Sequence, residues 1–190
     1  MSDLKTTGYN ADTAKNLLLD AGAVYKNFDT TTMVGTLLGA TQGGNSFEFK
    51  PNFRNIPIDG IKSEDVKGLS VIDSWTVTLT TNLLEITKDS LSLALAGSTV
   101  LTHDENYDSI KAKNAVTLTD YIDNVTFVGR LSGSDKPVIV IVKNALNKEG
   151  LSVTLADSSE GKLPITFVGH VAPDDMETPP FEILFPKTVA

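Results

Sequence analysis

The stretch WTVTLTTNLLEITKDSLSLALAG, Trp75 to Gly97, changes its period part-way along. Up to Leu83 the odd positions are Trp75, Val77, Leu79, Thr81 and Leu83, and the even ones are Thr76, Thr78, Thr80 and Asn82. Such alternation on β-branched residues describes a strand with one buried face. It reaches back through Asp73 and Val71 to Leu69, well beyond the ~5–6 residues of a common strand. A strand of that length either crosses two sheets or belongs to one large curved sheet. After Leu84-Glu85-Ile86 the pattern becomes helical. Thr87 is placed as an N-cap, Asp89 falls in the first turn, and Leu91, Ala94 and Leu95 share one face of a helix from Lys88 to Ala96, ended by Gly97. Leu91 and Leu95 are expected to pack this helix against the flank of the sheet.

Outward from this stretch, further strands are expected at Ser46 to Phe53, Asp120 to Leu131, Val138 to Val142, Leu151 to Ala156, Ile165 to Val171 and Phe181 to Phe185. Leu17 to Phe28 fits a helix or a strand equally well. Asn144 to Glu149, closed by Gly150, predicts a helical turn or two, and Gly39 to Gly44 reads as a turn. Many short strands and a single clear helix point to a mainly β chain, an antiparallel β-sandwich or barrel with one flanking α-helix. Residues 1–190 are read as a single domain. Two stretches look irregular, Lys50 to Lys67 and Ala172 to Pro180. Long connections are uncommon inside a domain and tend to be functional or disordered.

Composition narrows the chemistry. The 190 residues are 41% apolar with no run near the ~20 residues that span a bilayer, so a soluble protein without a membrane anchor is expected. MSDLKTTGYN has no basic patch followed by an apolar stretch, which predicts synthesis in the cytoplasm. The absence of cysteine excludes disulfides, thiolate metal sites and thiol nucleophiles. A net charge of −8 without a Lys/Arg cluster argues against a protein that grips phosphates.

Candidate sites are few. His103-Asp104-Glu105 places an imidazole beside two carboxylates, but consecutive residues do not converge and an exposed turn explains them. His170 with Asp174, Asp175 and Glu177 offers oxygen ligands for a hard cation, at a spacing that fits no EF-hand loop. Asn124-Val125-Thr126 matches a glycosylation sequon in a chain without a predicted leader. No P-loop, G-x-G-x-x-G, G-x-S-x-G or H-E-x-x-H occurs. Neither an enzyme nor a cofactor is expected.

Three blocks, LLLDAGAVYKNFD, FRNIPIDGIKSEDVKGLSVIDSWTVTLTTNLLEITKDSLSLALAG and ITFVGHVAPDDMETPPFEILFP, occur in this order and span most of the chain. With R-x-I-x-x-D-G at Arg54 to Gly60 and V-K-G at Val66 to Gly68, the chain resembles the major tail (tail tube) proteins of long-tailed bacteriophages. The resemblance implies a tail tube fold, hexameric rings stacked into a tube, and a lumen that DNA crosses without specific binding. It implies location in the virion, in the phage tail, and partners that are other copies of the chain, the tape measure protein and the tail terminator and tip proteins. Assembly arms are implied at residues 1–16, 50–67 and 173–190, with Arg54, Ile56, Asp59, Lys62, Glu64 and Asp65 on the central one. An acidic lumen that repels phosphates is a further expectation, motivated by net charge alone.

Three other readings use the same residues. A β-sandwich that recognises carbohydrate or protein at a tail tip is disfavoured by a single tryptophan on a buried parity and by 7% aromatic content. A tube protein of a type VI secretion-like apparatus differs in biology more than in physics. A hydrolase would need converging carboxylates that nothing in the sequence singles out.

Overall fold

The computed structural model describes residues 7–63, 65–157 and 159–187. Its strands are β1 (Leu18–Asp29), β2 (Val34–Leu37), β3 (Thr41–Asn55), β4 (Ser70–Leu83), β5 (Ser98–Thr102), β6 (Asp108–Ala112), β7 (Ile122–Leu131), β8 (Val138–Asn147), β9 (Thr154–Ala156), β10 (Ser159–Val168) and β11 (Phe181–Leu184), with one α-helix, α1 (Lys88–Ala94). Antiparallel pairing runs β2-β1-β7-β8-β10-β4-β3, with β11 beside β8 and β9 beside β10, while β5 and β6 form a separate hairpin. The fold is a β-sandwich with a single flanking helix.

Strand β8 joins the two layers. Through Ala145 it pairs with β7, whereas Leu146 and Asn147 pair with β10 of the other layer. The change of layer falls at Asn144, whose φ of +47° is a left-handed conformation that Asn tolerates better than most residues. Its Nδ2 donates to the His170 carbonyl at 3.0 Å. The segment Asn144 to Glu149 is therefore strand followed by turn, contrary to the helical turn expected. The reason is burial, since Ala145, Leu146 and Asn147 all lie in the interior. Asn147 Nδ2 donates to the carbonyls of Ala94 and Gly150 at 2.6 and 3.2 Å, and its Oδ1 accepts the Glu149 N–H at 3.1 Å.

Between the layers, Val24, Val125, Val142 and Ala145 face Val77, Leu79, Leu83, Leu163, Ile165 and Phe167. Phe181 of β11 closes one side, its ring 5.3 Å from Phe47 and 4.9 Å from Phe49. The ambiguous segment from Leu17 is strand β1, and it is bent. Gly22, at φ +67°, lies within its register shift, and a Cβ there would come within 2.3 Å of the Phe127 ring. Only glycine fits that approach. Gly39 to Gly44 is not a plain turn either, because Thr41 already pairs with Leu83 and Gly43 and Gly44 form an irregularity inside β3. Strand β2 and the β5–β6 hairpin were not expected. They are short strands without a clear alternation.

Helix α1 begins as expected. The Ser90 N–H donates to Thr87 Oγ1 at 3.1 Å and the Thr87 N–H to Ser90 Oγ at 2.8 Å, a reciprocal capping box. It ends at Ala94, two residues short of the expected Ala96. Leu91 and Leu93 pack on the core, and Ala94 lies within it. Leu95 is instead the C-cap and lines a hollow beside Tyr121 and Ile122, so only Leu91 packs as expected. Leu91→Asp should lower stability by about 2 kcal/mol in denaturant unfolding, because it places a carboxylate against apolar side chains. A change under about 0.5 kcal/mol would contradict that packing.

Lys113 and Asp120 form the least exposed ion pair among the described residues, with side chains 29% and 8% accessible. The Lys113 hydrogen bond, followed by bonds from the Thr117 N–H and hydroxyl, holds the Asp120 carboxyl at a pKa of about 2. A carboxyl depressed on folding contributes stability above its unfolded value near 4 and loses it as pH falls towards 2. Asp120→Asn should therefore flatten the decline of thermal stability between about pH 4 and pH 2. Parallel melting curves for the variant and the parent across that range would contradict this.

Candidate assembly surface

Strands β3 and β4 are longer than the core they serve. Val77, Leu79, Thr81 and Leu83 are buried and Trp75 is half-buried against the core, whereas Ser70 to Ser74 are all exposed. Among the described strands β4 pairs only with β3 and β10, so the long strand does not cross two sheets. It stays in one sheet and overshoots it, so residues 51–76 form a two-stranded arm with a loop at its tip. Val71 and Asp73, expected on the buried parity, are exposed for this reason.

The arm holds its own shape. The Ile56 N–H donates to the Leu69 carbonyl at 2.9 Å, Asn55 Nδ2 to Asp65 Oδ1 at 2.6 Å, and Ser70 Oγ to Asn55 Oδ1 at 2.7 Å. Arg54 lies in β3 rather than in an irregular loop, and its Nε donates to both Asp73 carboxylate oxygens at 3.1 and 3.2 Å. The stretch from Lys50 to Asn55 is thus regular strand, and only the part beyond it is loop. Asp59 and Lys62 are exposed in that loop, and Glu64 lies outside the described residues. The arms expected at 1–16 and 173–190 are described only for residues 7–16 and 173–187.

The exposed apolar side chains of the arm were only partly foreseen. Phe53 (59% accessible), Ile56 (43%), Ile58 (48%), Ile61 (46%), Val71 (38%) and Ile72 (47%) lie on it. Phe53 keeps the parity of Phe47 and Phe49, which face the core. The register shift between Asn52 and Phe53 pairs it with Ile72 instead of Asp73. A bulge of this kind re-aims side chains. Phe53 and Ile72 therefore stand on the core-facing side of the sheet where no core remains. The sequence signal was present in the parity of Phe53, but the bulge at Asp73 was not legible.

The opposite face of this sheet is polar. Ser46, Thr80 and Thr166 lie side by side across β3, β4 and β10, next to Glu48 and Thr78, with Lys50 and Thr76 following. Thr80 and Thr166 hydroxyls are 3.2 Å apart.

The other candidates do not converge. His103 is exposed, with Nε2 3.9 Å from Asp104 Oδ2, and Glu105 is exposed beside them. His170 stacks edge-on against Tyr121, with Nδ1 3.1 Å from the Asn144 carbonyl oxygen, while Asp174, Asp175 and Glu177 are exposed. Among the described residues no group of three or more His, Asp and Glu is placed to hold a metal ion. Asn124 of the sequon has a structural part, since its Nδ2 and Oδ1 bond the Phe28 carbonyl and N–H at 3.1 and 2.8 Å. No described helix is long and apolar enough to cross a membrane. The chain matches no protein-family model and no curated protein in sequence.

Proposed function

We propose that the chain is a self-assembling structural subunit of a phage tail tube, a ring-forming protein whose stacked rings conduct DNA during ejection. The observation that carries this reading is the arm, a hydrogen-bonded ribbon that presents large apolar side chains beyond the core. Fully burying one such side chain is worth about 1.5–3 kcal/mol, so several of them left in water favour a partner. A contact between two different surfaces of identical chains generates closed rings or open filaments. The edge of β3 from Phe47 to Asn55 pairs with β4 alone among the described strands, which leaves it available for strand addition.

In this reading the hydroxyl-rich face of β3, β4 and β10 is the wall of the bore. Glu48 and Lys50, in neighbouring rows of this face, are opposite in sign, so DNA would slide past a hydrated surface without a strong acidic excess there. Hexameric rings, virion location and partnership with tape measure, terminator and tip proteins belong to the same proposal. Antibody against the protein, applied to phage particles that carry it, should decorate tail shafts along their length. Decoration confined to the tip would contradict the proposal.

A further inference from the structure

Asp59-Gly60, in the loop at the tip of the arm, is the one Asp-Gly pair in the sequence. It forms the centre of a reverse turn closed by the Ile61 N–H, which donates to the Ile58 carbonyl at 3.2 Å. Gly60, third in that turn, has φ +85°, a left-handed conformation that favours glycine. Both residues are exposed, and a Cβ built on Gly60 would meet nothing within 4 Å. The hydrogen bonds of the loop lie elsewhere, with Asn55 Nδ2 donating to Asp65 Oδ1 at 2.6 Å and Ser63 Oγ to the Asp65 carbonyl at 3.2 Å. Among the described residues neither the Asp59 carboxylate nor the Gly60 N–H has a partner. An aspartyl side chain reacts with its own backbone when the next residue's nitrogen reaches its carboxyl carbon. A following residue without a Cβ hinders that approach least, and loop tips give the backbone the freedom to make it.

Four other aspartates, Asp73, Asp89, Asp108 and Asp157, precede a serine, whose small side chain hinders the same attack only in part. The fold restrains three of them. Asp73 lies in β4 with both carboxylate oxygens bonded to Arg54 Nε. Asp89 stands in the first turn of α1, where the following Ser90 N–H is already bonded to Thr87 Oγ1 at 3.1 Å. Asp108 lies in β6 and accepts Lys88 Nζ at 2.8 Å. We propose that Asp59-Gly60 is a site of isoaspartate formation, at which the folded chain modifies its own backbone. The Gly60 nitrogen attacks Cγ of the protonated Asp59 carboxyl. A C–N bond forms, a carboxyl C–O bond breaks, and the hydroxyl leaves with the amide proton as water. Water then adds to the main-chain carbonyl carbon of Asp59 in the resulting succinimide ring and breaks its bond to the Gly60 nitrogen. The chain now runs through the former side chain, and the former main-chain carbonyl has become a free carboxylate. No oxidant or cofactor takes part. The lengthened backbone changes the ring closed by the Ile61-to-Ile58 hydrogen bond, so the turn at the tip is remodelled while the sandwich is untouched. The site does not depend on the proposed assembly.

The test is to age the purified chain in warm neutral buffer, folded and in urea, and to label isoaspartyl carboxyls with an isoaspartyl methyltransferase and radiolabelled S-adenosylmethionine. Peptide mapping then locates the label. In the folded chain it should appear first and mostly in the peptide that holds Asp59, together with a succinimide form lighter by one water. Asp59→Glu keeps the carboxylate and Gly60 but requires a larger ring, so it should lose that label while its circular dichroism stays that of the parent. In urea, Asp73, Asp89 and Asp108 should gain label as their restraints disappear. Label at Asp59 only in urea would show that the folded turn blocks the reaction and would overturn the proposal. Label shared equally with Asp73, Asp89 and Asp108 in the folded chain would overturn it as well.

Discussion

Phe53→Asp combined with Ile72→Asp is expected to abolish association of the chain while leaving its melting temperature within about 2 °C of the parent. Both side chains are about half exposed and lie beyond the core, so the folded subunit loses no buried contact when they become charged. Surface changes of that kind usually move stability by no more than about 0.5 kcal/mol. In an apolar interface the same two carboxylates would have to be desolvated, at several kcal/mol each, which is enough to lower an association constant by more than a thousandfold. Sedimentation velocity at increasing concentration reads the first quantity and calorimetry the second. A variant that associates like the parent would remove the arm from the assembly.

The second large effect concerns the subunit itself. Phe167 is among the largest fully buried side chains, set between β4 and β8 by its register with Leu79 and Asn147. Phe167→Ala should cost about 3–5 kcal/mol, the sum of lost transfer energy and the cavity left behind. Against a typical total of about 5–15 kcal/mol, that is a large part of the stability of the fold. Urea denaturation would show a lowered midpoint with an unchanged slope. A loss below about 1 kcal/mol would mean that β10 is not central to the packing. Together the two substitutions separate folding from association, since one is expected to act on each.

The sandwich and its helix were legible because the period of the apolar residues follows burial. Val77, Leu79 and Leu83 alternate because one side of β4 faces the core, and Thr87 with Ser90 caps a helix whose Leu91 packs as its position demands. Where alternation failed, a backbone irregularity was the cause. The bulge at Asp73 exchanges Ile72 for Asp73 on one face, and Asn144 carries β8 from one layer to the other. Neither event has a sequence period. Arg54 and Asp65, expected on an assembly arm, have side chains that bond within the β3–β4 ribbon. The apolar residues Phe53 and Ile72 were hidden because an exposed apolar pair has the same letters as a buried one. The burial of Val138 to Val142 was legible in its continuous apolar run, the pattern of a strand covered on both faces.

The most direct test of self-assembly through the arm is negative-stain electron microscopy of the concentrated protein beside its Phe53→Asp, Ile72→Asp variant. Hollow rings or tubes of uniform width from the unmodified chain, and none from the variant, are the expected result. Assemblies without a bore, or tubes formed equally well by both proteins, would contradict it.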